Sequence, residues 1–218
     1  MKFLLPLQQL KNRLFLQFIK VLYGIEVRIA NTAAERLAAY LVRHTAYKAG
    51  ALLDPQELTS DYLEDALDPT SIILVAYQNG QPLGTIRMTP PSEKGFPHEA
   101  IFKVHFPFDK SKAVEIGRFA VLPSSRIKAH NRIVAFALTL SATCYSRRVG
   151  YDFWLLATSQ SLKQQFEKLG GTIVDLEAEL LPLHAIDPTA PSWRFYQKRP
   201  ARYYWLATAD IVPNFGQR

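Results

Sequence analysis

The sequence of 218 residues predicts an α/β fold with a mixed central sheet and flanking helices, preceded by an N-terminal amphipathic helix. Two observations predict it. In the second half of the chain, apolar segments of strand length alternate with segments of helical periodicity, as in sheets whose strands are connected by helices. In the first half, Asn79-Gly80 separates two strand-like runs, as in a tight antiparallel hairpin.

The composition is that of a folded protein. Hydrophobic residues make up 48% of the chain and charged residues 21%, which fits a globular domain rather than a disordered segment. The length fits one domain with an appended helix, and we expect residues 1–23 to be that helix and residues 24–218 the domain. The single cysteine, Cys144, excludes an internal disulfide and fits a reducing compartment, so we expect a cytoplasmic protein. Because Cys144 falls within a predicted helix, we interpret it as a core thiol rather than a nucleophile.

The formal net charge of +7 favours an anionic partner. Nucleic acid, an anionic membrane surface, coenzyme A and an acidic carrier protein all satisfy this condition. The sequence has no recognised nucleic-acid-binding motif, so we expect no nucleic-acid partner. No run of about 18 uncharged apolar residues occurs, which predicts no transmembrane helix. The histidines show no metal-ligand spacing with each other or with Cys144, so we predict no metal. They are His44, His98, His105, His130 and His184.

Residues 1–23 are predicted to form a basic amphipathic helix. The segment contains four cations and no acidic residue, and one set of its apolar side chains follows helical spacing. That set is Leu7, Leu10, Leu14, Phe18 and Val21. Such a helix lies on a membrane surface, or it packs on its own domain or on a second subunit, and the pattern leaves these alternatives open. Lys11, Arg13 and Lys20 interrupt the apolar region, so we do not interpret the segment as a signal peptide.

Local signals place the elements of the first half. Asn31 or Thr32, with Glu35 after it, caps one helix, and Pro55 begins another. β-branched residues on either side of Asn79-Gly80 predict the hairpin strands. In order, the predicted elements are a strand at 25–30, helices at 33–48 and 55–65, and strands at 71–78 and 81–88.

The second half begins with a long connection over 90–112, of a length that is usually functional or mobile. Apolar runs then alternate with helical periodicity, and Gly170-Gly171 ends the last predicted helix. In order, the predicted elements are a strand at 114–121, a helix at 131–148, a strand at 151–158, a helix at 160–169, and strands at 172–176 and 202–209.

The central strand, Val114 to Val121, carries two ionisable residues inside an apolar run, Glu115 and Arg118. A buried charge costs on the order of several kcal/mol unless it is paired or has a function. We therefore expect each of these two residues to have a partner or a function. Strict alternation places them on opposite faces, and Gly117 between them suggests a β-bulge that turns both toward one cleft.

A basic segment follows the central strand and leads into the long helix. It brings Arg126, Lys128 and Arg132, with Asn131, to the start of that helix. Backbone N–H groups and cations meet there, and both favour a phosphate. The alternative is a solvated basic loop.

These segments resemble the acyl-donor motif of the GNAT acyltransferase superfamily. Glu115-Ile116-Gly117-Arg118-Phe119 matches the Glu-x-x-Arg-Phe strand of its autoinducer-synthase branch, which includes acyl-homoserine-lactone synthases and N-acyl amino acid synthases. The usual turn after this strand is glycine-rich, whereas Arg126 to Asn131 has no glycine. The resemblance implies an acyl-phosphopantetheine donor, either acyl-carrier protein or acyl-CoA. Ala120, Val121 and the basic segment would contact that donor.

Two further segments resemble the same families. Gly84 to Pro90 is similar to a G-x-x-R-L-x-P-T pattern, in which Arg87 would clamp a substrate carboxylate, against the alternative of an edge-strand surface Arg. The resemblance also implies substrate contacts from Phe119, Arg43 and Asp65. The Asp-x-x-Asp spacing of the family fits Asp65 and Asp68, although Asp61-Tyr62 competes, and the alternative for these acids is a solvated helix end. Phe166 stands where the superfamily commonly has a tyrosine acid. No tryptophan precedes Trp154, which argues against S-adenosylmethionine as the acceptor.

The sequence therefore predicts an N-acyltransferase that moves a medium or long acyl chain to the amine of an amino acid or a related small molecule. Glu115 is the candidate base, and Arg118 is its candidate partner. The alternative is a structural or substrate-orienting Glu115–Arg118 pair. Alternatives for the whole chain are a CoA-dependent N-acetyltransferase and a non-catalytic acyl-binding module.

Overall fold

The structure is a computed structural model that describes residues 4–53, 59–123, 128–167, 172–186, 193 and 202–211. Within these residues the helices are α1 (Leu4–Tyr23), α2 (Ala33–Ala49), α3 (Lys128–Val149) and α4 (Gln160–Glu167). The strands are β1 (Ile25–Ile29), β2 (Ile72–Gln78), β3 (Gln81–Thr89), β4 (Phe102–Lys103), β5 (Ala113–Val121), β6 (Phe153–Thr158), β7 (Val174–Asp175), β8 (Glu179–Leu180) and β9 (Arg202–Ala207). No described helix has the length and apolar character needed to cross a membrane.

The main sheet has seven strands in the order β1-β2-β3-β5-β6-β9-β7, and β4 pairs with β8 in a separate two-stranded sheet. β5 and β6 are parallel, whereas the β1–β2, β2–β3, β6–β9 and β7–β9 pairs are antiparallel. The predicted mixed sheet with flanking helices is therefore confirmed.

The chain forms two compact units, and each of them is discontinuous in sequence. The first unit comprises Met1–Met88 and Arg118–Tyr145, and the second comprises Thr89–Gly117 and Ser146–Arg218. Strand β5 contributes to both units, because the division falls between Gly117 and Arg118.

In the first unit, α2 packs on β2. Residues from these two elements and the residue that follows β1 form one cluster of buried apolar side chains, which comprises Ala30, Ala39, Tyr40, Ile73, Val75 and Tyr77. Thr32 is the N-cap of α2 and forms a capping box with Glu35. The Thr32 hydroxyl accepts a hydrogen bond from the Glu35 amide, and the Glu35 carboxylate accepts one from the Thr32 amide. The hairpin turn is as predicted, since Asn79 and Gly80 both have positive φ, at 50° and 78°.

In the second unit, a larger aromatic core is built around β9 and the connection before β5. Its buried members are Phe96, Ile101, Phe102, Ala113, Leu155, Leu176, Ile186, Trp193 and Tyr203. The connection over 90–112 is folded on this core, because it contains β4 and two short 3-10 helices. The β4–β8 pair was not predicted, since two-residue strands leave no alternation in the sequence.

The predicted helix over 55–65 is wrong in its described part. Residues 54–58, including Pro55, lie outside the described residues, and residues 59–65 form turns and irregular structure. Local side-chain bonds replace the helical ones. The Ser60 hydroxyl donates to the Tyr62 carbonyl at 2.7 Å, and the Asp65 amide donates to the Asp68 carboxylate at 2.8 Å.

Helix α1 is present over Leu4–Tyr23, and the first three residues of the predicted 1–23 helix lie outside the described residues. Its apolar stripe is not packed on its own domain. We call Leu7, Leu10, Leu14, Phe18 and Val21 the α1 stripe, and all five side chains are exposed. The helix instead buries Asn12 and Ile19 on the opposite face.

Candidate functional site

The first unit contains a buried group of charged side chains, the arginine–aspartate cluster, in which three arginines meet two aspartates. Its members are Arg43 on α2, Asp65 and Asp68 in the segment before β2, Arg87 on β3 and Arg118 on β5. The local chain places the aspartates side by side. The Asp68 carboxylate accepts a hydrogen bond from the Asp65 amide, and the Asp65 carboxylate accepts one from the Leu67 amide at 2.9 Å.

Asp65 is shared by two arginines. Its Oδ1 lies 2.9 Å from Arg87 Nη1, and its Oδ2 accepts from Arg118 Nε at 2.7 Å and also from Arg118 Nη2. Burial alone would raise the pKa of Asp65, but the charges of Arg118 and Arg87 outweigh burial and hold that pKa well below its usual range. Asp65 is therefore ionised throughout the physiological range.

Asp68 and Arg43 form the innermost pair. Arg43 Nη1 donates to Asp68 Oδ2 at 2.6 Å, and neither side chain is exposed to solvent. Burial lowers the pKa of the Arg43 guanidinium, and the Asp68 carboxylate partly offsets that effect. Arg87 Nη1 also reaches Asp68 Oδ1, at 3.5 Å, so the two aspartates are linked through one arginine.

The cluster carries more positive than negative charge, because three guanidiniums face two carboxylates. Among the described residues, Nε and Nη2 of Arg43 and Nε of Arg87 are buried donors without a hydrogen-bond partner. Buried donors of this kind are costly unless a ligand or water satisfies them. The side chain of Arg118 is 21% exposed, so a ligand can reach the cluster from this arginine.

Arg118 also has an unusual backbone. Its φ is 50°, in the left-handed region that a non-glycine side chain seldom adopts. The β-bulge that the sequence suggested at Gly117 stays a prediction, although the next residue has this unusual φ. The prediction that Glu115 and Arg118 turn toward one cleft stays a prediction.

Glu115 belongs to the second unit, where it is almost completely buried and contacts His98 and Tyr203. Its Oε2 accepts from the Tyr203 hydroxyl at 3.0 Å and from the His98 amide at 3.2 Å. Its Oε1 lies 2.5 Å from His98 Nδ1, although the direction is not that of a well-aligned hydrogen bond. We call these three residues the glutamate triad. It places the carboxylate within proton-transfer distance of both the phenol and the imidazole.

The remaining predicted site residues lie at the end of β5 and the start of α3. The Phe119 carbonyl accepts weakly from the Tyr47 hydroxyl at 3.5 Å, Ala120 is buried, and Val121 is half-buried.

On α3, Asn131 is half-buried and Arg132 is exposed. Lys128 begins the helix, but its side chain lies outside the described part of the structure, as do the whole of Arg126 and the side chain of Phe166. The glycine stop at Gly170-Gly171 also lies outside it.

Sequence reasoning missed His98 and Tyr203. They are 17 and 88 residues from Glu115 in sequence, and neither belongs to a motif that the sequence displays. The Asp-x-x-Asp spacing did indicate Asp65 and Asp68. Within the described residues, no three of the His, Cys, Asp and Glu side chains lie close enough together to hold a metal ion.

Several solved structures share this fold at low sequence identity. The acyl-homoserine-lactone synthase LasI superposes with a TM-score of 0.59 at 12% identity, covering 89% of this chain and 98% of its own. FeeM, an N-acyl amino acid synthase from uncultured soil microbes, superposes with a TM-score of 0.56 at 16% identity, covering 86% of this chain and 92% of its own. BjaI, a CoA-dependent acyl-homoserine lactone synthase solved with SAM and isopentyl-CoA, superposes with a TM-score of 0.57 at 17% identity. The match covers 88% of this chain and 92% of BjaI.

The fold shared with these structures is that of a GNAT-like acyltransferase. The model of the FeeM family, N-acyl amino acid synthase FeeM, matches residues 38–174, which is more than half of the chain. The chain therefore belongs to the FeeM family of N-acyl amino acid synthases and is an N-acyltransferase. No curated protein matches it.

Proposed function

We propose that the protein transfers a medium or long acyl chain from acyl-carrier protein to the amine of an amino acid or a related carboxylate-bearing small molecule, with acyl-CoA as the second donor. The observation that carries this proposal is the excess positive charge of the buried arginine–aspartate cluster. A ligand carboxylate would neutralise that charge and satisfy Arg87 Nε, a buried donor that the described residues leave without a hydrogen-bond partner.

Within the cluster, the arginines take different roles. Arg118, the most exposed of the three, and Arg87 on the neighbouring strand would contact the acceptor carboxylate. Arg43 is completely buried against Asp68, so we assign it the role of a positioning residue that holds the aspartates in place. The strained backbone of Arg118 supports a functional role, since such conformations persist where the surroundings hold them.

The reaction forms one amide bond and breaks one thioester bond. The neutral amine nitrogen attacks the thioester carbonyl, the carbon–sulfur bond breaks, and the proton lost from nitrogen must return to the leaving thiolate. We propose Glu115 as the group that takes this proton. It is ready for that role because Tyr203 and the His98 amide hold its carboxylate in one orientation.

Because Glu115 is only 1% exposed, the proton would reach it through an intermediate group. That group is either a water molecule or the imidazole of His98, whose Nδ1 lies 2.5 Å from the carboxylate. Replacing His98 with Asn distinguishes the two routes: turnover falls if the imidazole relays the proton and is little changed if water does.

For the donor, we propose that the backbone of Ala120 and Val121 contacts the pantetheine arm. Arg126, Lys128, Asn131 and Arg132 would bind its phosphate and the acidic surface of the carrier. Phosphopantetheine on a carrier protein has a single phosphate, which suits cations at a helix start. A CoA pyrophosphate is better wrapped by a glycine-rich turn, which this chain lacks.

The acceptor is tested by comparing an amino acid with the amine that results from its decarboxylation, using the purified enzyme and a long-chain acyl-carrier protein. We expect wild type to prefer the amino acid by about 100-fold or more, because the bidentate arginine–carboxylate contact is lost with the amine. The Arg118→Gln variant should lose most of that preference through a raised KM for the amino acid. Arg28→Gln, which changes an exposed arginine of β1, is the matched control.

Mass spectrometry of lipids from bacteria that express the chain tests the activity itself. A new N-acyl amino acid supports the proposal. An acetylated product alone indicates a CoA-dependent N-acetyltransferase, and bound acyl chain without a new lipid indicates a non-catalytic module.

The donor is tested by supplying acyl-carrier protein and the matching acyl-CoA at low and physiological salt. We expect the carrier to be preferred and its use to weaken with salt, because its recognition depends on charge. The triple variant Arg126→Ala/Lys128→Ala/Arg132→Ala should weaken carrier binding. Equal use of acyl-CoA without salt dependence would contradict the carrier as donor and leave N-acyl transfer intact.

A further inference from the structure

We propose that helix α1 is an in-plane anchor whose exposed apolar stripe docks on an anionic lipid bilayer. The proposal goes beyond the acyl-transfer reaction and does not depend on its acceptor or donor. It rests on two properties of α1: the exposure of the stripe and the sign of the charges around it.

The α1 stripe is a continuous apolar surface on the outside of the protein. Its residues follow one another at spacings of three or four, so they share one side of the helix over about 21 Å. Leu14 is 61% and Val21 81% exposed, whereas a helix that packs on its own domain buries such a stripe. Contiguous exposed apolar surface of this kind marks an interaction site.

The helix is attached to the first unit by its other face. Asn12 and Ile19 are buried there, and Phe15 meets the ring of Phe136 edge-on at 5.4 Å. The stripe is therefore not needed to hold α1 in place and is presented outward.

The charges beside the stripe match an anionic surface. Residues 1–23 contain no Asp or Glu, and the exposed cations Lys11 and Arg13 lie on opposite sides of the stripe. Apolar side chains bordered by cations are the pattern of helices that lie in the interface of an anionic membrane.

The same observations favour a lipid bilayer over a second copy of the chain as the partner of the α1 stripe. Pairing of two stripes would bring Lys11 and Arg13 of one copy near those of the other, and the helix has no acid to neutralise them. Lipid phosphates supply that negative charge directly.

The test uses the whole 218-residue chain and sedimentation with vesicles. One set contains phosphatidylcholine and phosphatidylglycerol in a ratio of about 3:1, and the other contains phosphatidylcholine alone. We expect wild type to bind the anionic vesicles, to bind the neutral ones at least about tenfold more weakly, and to be released from the anionic ones by salt.

Two double variants of α1 separate the apolar contribution to vesicle binding from the ionic one. Leu14→Ser/Phe18→Ser should reduce binding by about tenfold or more, because two side chains leave the bilayer. The matched control is Leu37→Ser/Leu41→Ser, which removes two exposed leucines at the same spacing on α2. Lys11→Glu/Arg13→Glu should reduce binding by at least about 30-fold, with Lys48→Glu/Lys103→Glu as the charge control.

Circular dichroism verifies that all variants are folded, which we expect because every changed side chain is exposed. The proposal is overturned if wild type fails to bind anionic vesicles, or if the α1 variants bind them as well as their controls do. A wild-type dimer in solution that Leu14→Ser/Phe18→Ser converts to a monomer, without vesicle binding, would assign the stripe to a second copy instead.

Discussion

At the scale of single residues, the main feature is that each charged side chain of the arginine–aspartate cluster is paired with at least one opposite charge. Asp65 illustrates this, because it binds two arginines and one backbone amide while almost fully buried. Removing one partner from such a group leaves the others charged and unpaired, which costs about 3–5 kcal/mol.

Asp65→Asn should therefore lower the stability of the protein at neutral pH by several kcal/mol and also change its pH dependence. The folded-state pKa of Asp65 is lowered below the unfolded value of about 3.9, so its contribution is present above that value and is lost as pH falls. Urea unfolding between pH 6 and 3 should show a shallower loss of stability for Asp65→Asn than for wild type.

Asp61→Asn is the matched control, since Asp61 is exposed and only four residues away. It should follow wild type across the whole range. Parallel pH profiles for wild type and Asp65→Asn would show that Asp65 is not an ionised partner of the two arginines.

Glu115→Gln tests the base. Gln keeps the shape and can still accept from Tyr203, but it cannot take a proton, so turnover should fall by about 100-fold or more with little change in KM. Steady-state kinetics measures this, and thermal unfolding verifies the fold. Glu93→Gln, at an exposed position, is the control. Unchanged turnover would exclude Glu115 as the base, and loss of folding would assign it a structural role.

The sequence indicated the cluster residues better than the glutamate triad. Arg87 and Arg118 interrupt apolar strand patterns, and the spacing of Asp65 and Asp68 repeats a recognisable motif, so each carries a local signal. His98 and Tyr203 are ordinary members of a loop and an apolar strand. Only tertiary pairing brings them to Glu115.

At the scale of elements, the contact between β3 and α3 depends on the absence of a side chain. A Cβ on Gly84 would lie 2.9 Å from both Leu138 Cδ1 and Val134 Cγ1, and 3.1 Å from the Ala120 carbonyl. The two side chains can move, but the carbonyl belongs to the neighbouring strand. Gly84→Ala should therefore destabilise the protein by about 1–3 kcal/mol in urea or thermal unfolding.

Gly50→Ala is the matched control for this substitution. Gly50 has a φ of −86°, and an added Cβ would come no closer than 3.4 Å to its neighbours. We expect its stability to remain within about 0.5 kcal/mol of wild type. Equal stability of the two variants would mean that β3 and α3 are less closely packed than the structure shows.

Elements with strong end signals were predictable, and those held by local side-chain bonds were not. The Thr32 capping box and the Asn79-Gly80 turn fixed α2 and the hairpin within a residue or two. Thr59 to Asp65 contains only two strong helix formers, Leu63 and Glu64, so the helix prediction there depended on Pro55 as a start signal. There, the bonds of Ser60 and Asp68 to the backbone compete with helix formation, and a propensity pattern does not register them.

At the scale of the whole molecule, the chain passes between its two compact units three times, after Met88, Gly117 and Tyr145. A fragment ending at Tyr145 contains all of the first unit but only Thr89–Gly117 of the second. It lacks β6, which pairs with the first half of β5, and Tyr203, which binds Glu115. We expect this fragment to bind a hydrophobic dye strongly and to lose the cooperative thermal transition of the full chain.

A chain ending at Ile211 is the matched control, because it retains every strand that the structure describes. It should unfold cooperatively. A cooperative, dye-free 1–145 fragment would contradict the dependence of Thr89–Gly117 on the later strands.

This interleaving sets the order in which the protein can be completed during translation. The first unit cannot fold completely until Tyr145 has been synthesised, and the second cannot do so until β9 has been synthesised. Neither unit can therefore fold completely while only the N-terminal half of the chain has emerged. Helix α1 leaves the ribosome before the strands of either unit, and no later described residue covers its exposed stripe. The nascent chain therefore presents the surface that we propose binds lipid well before either unit is complete.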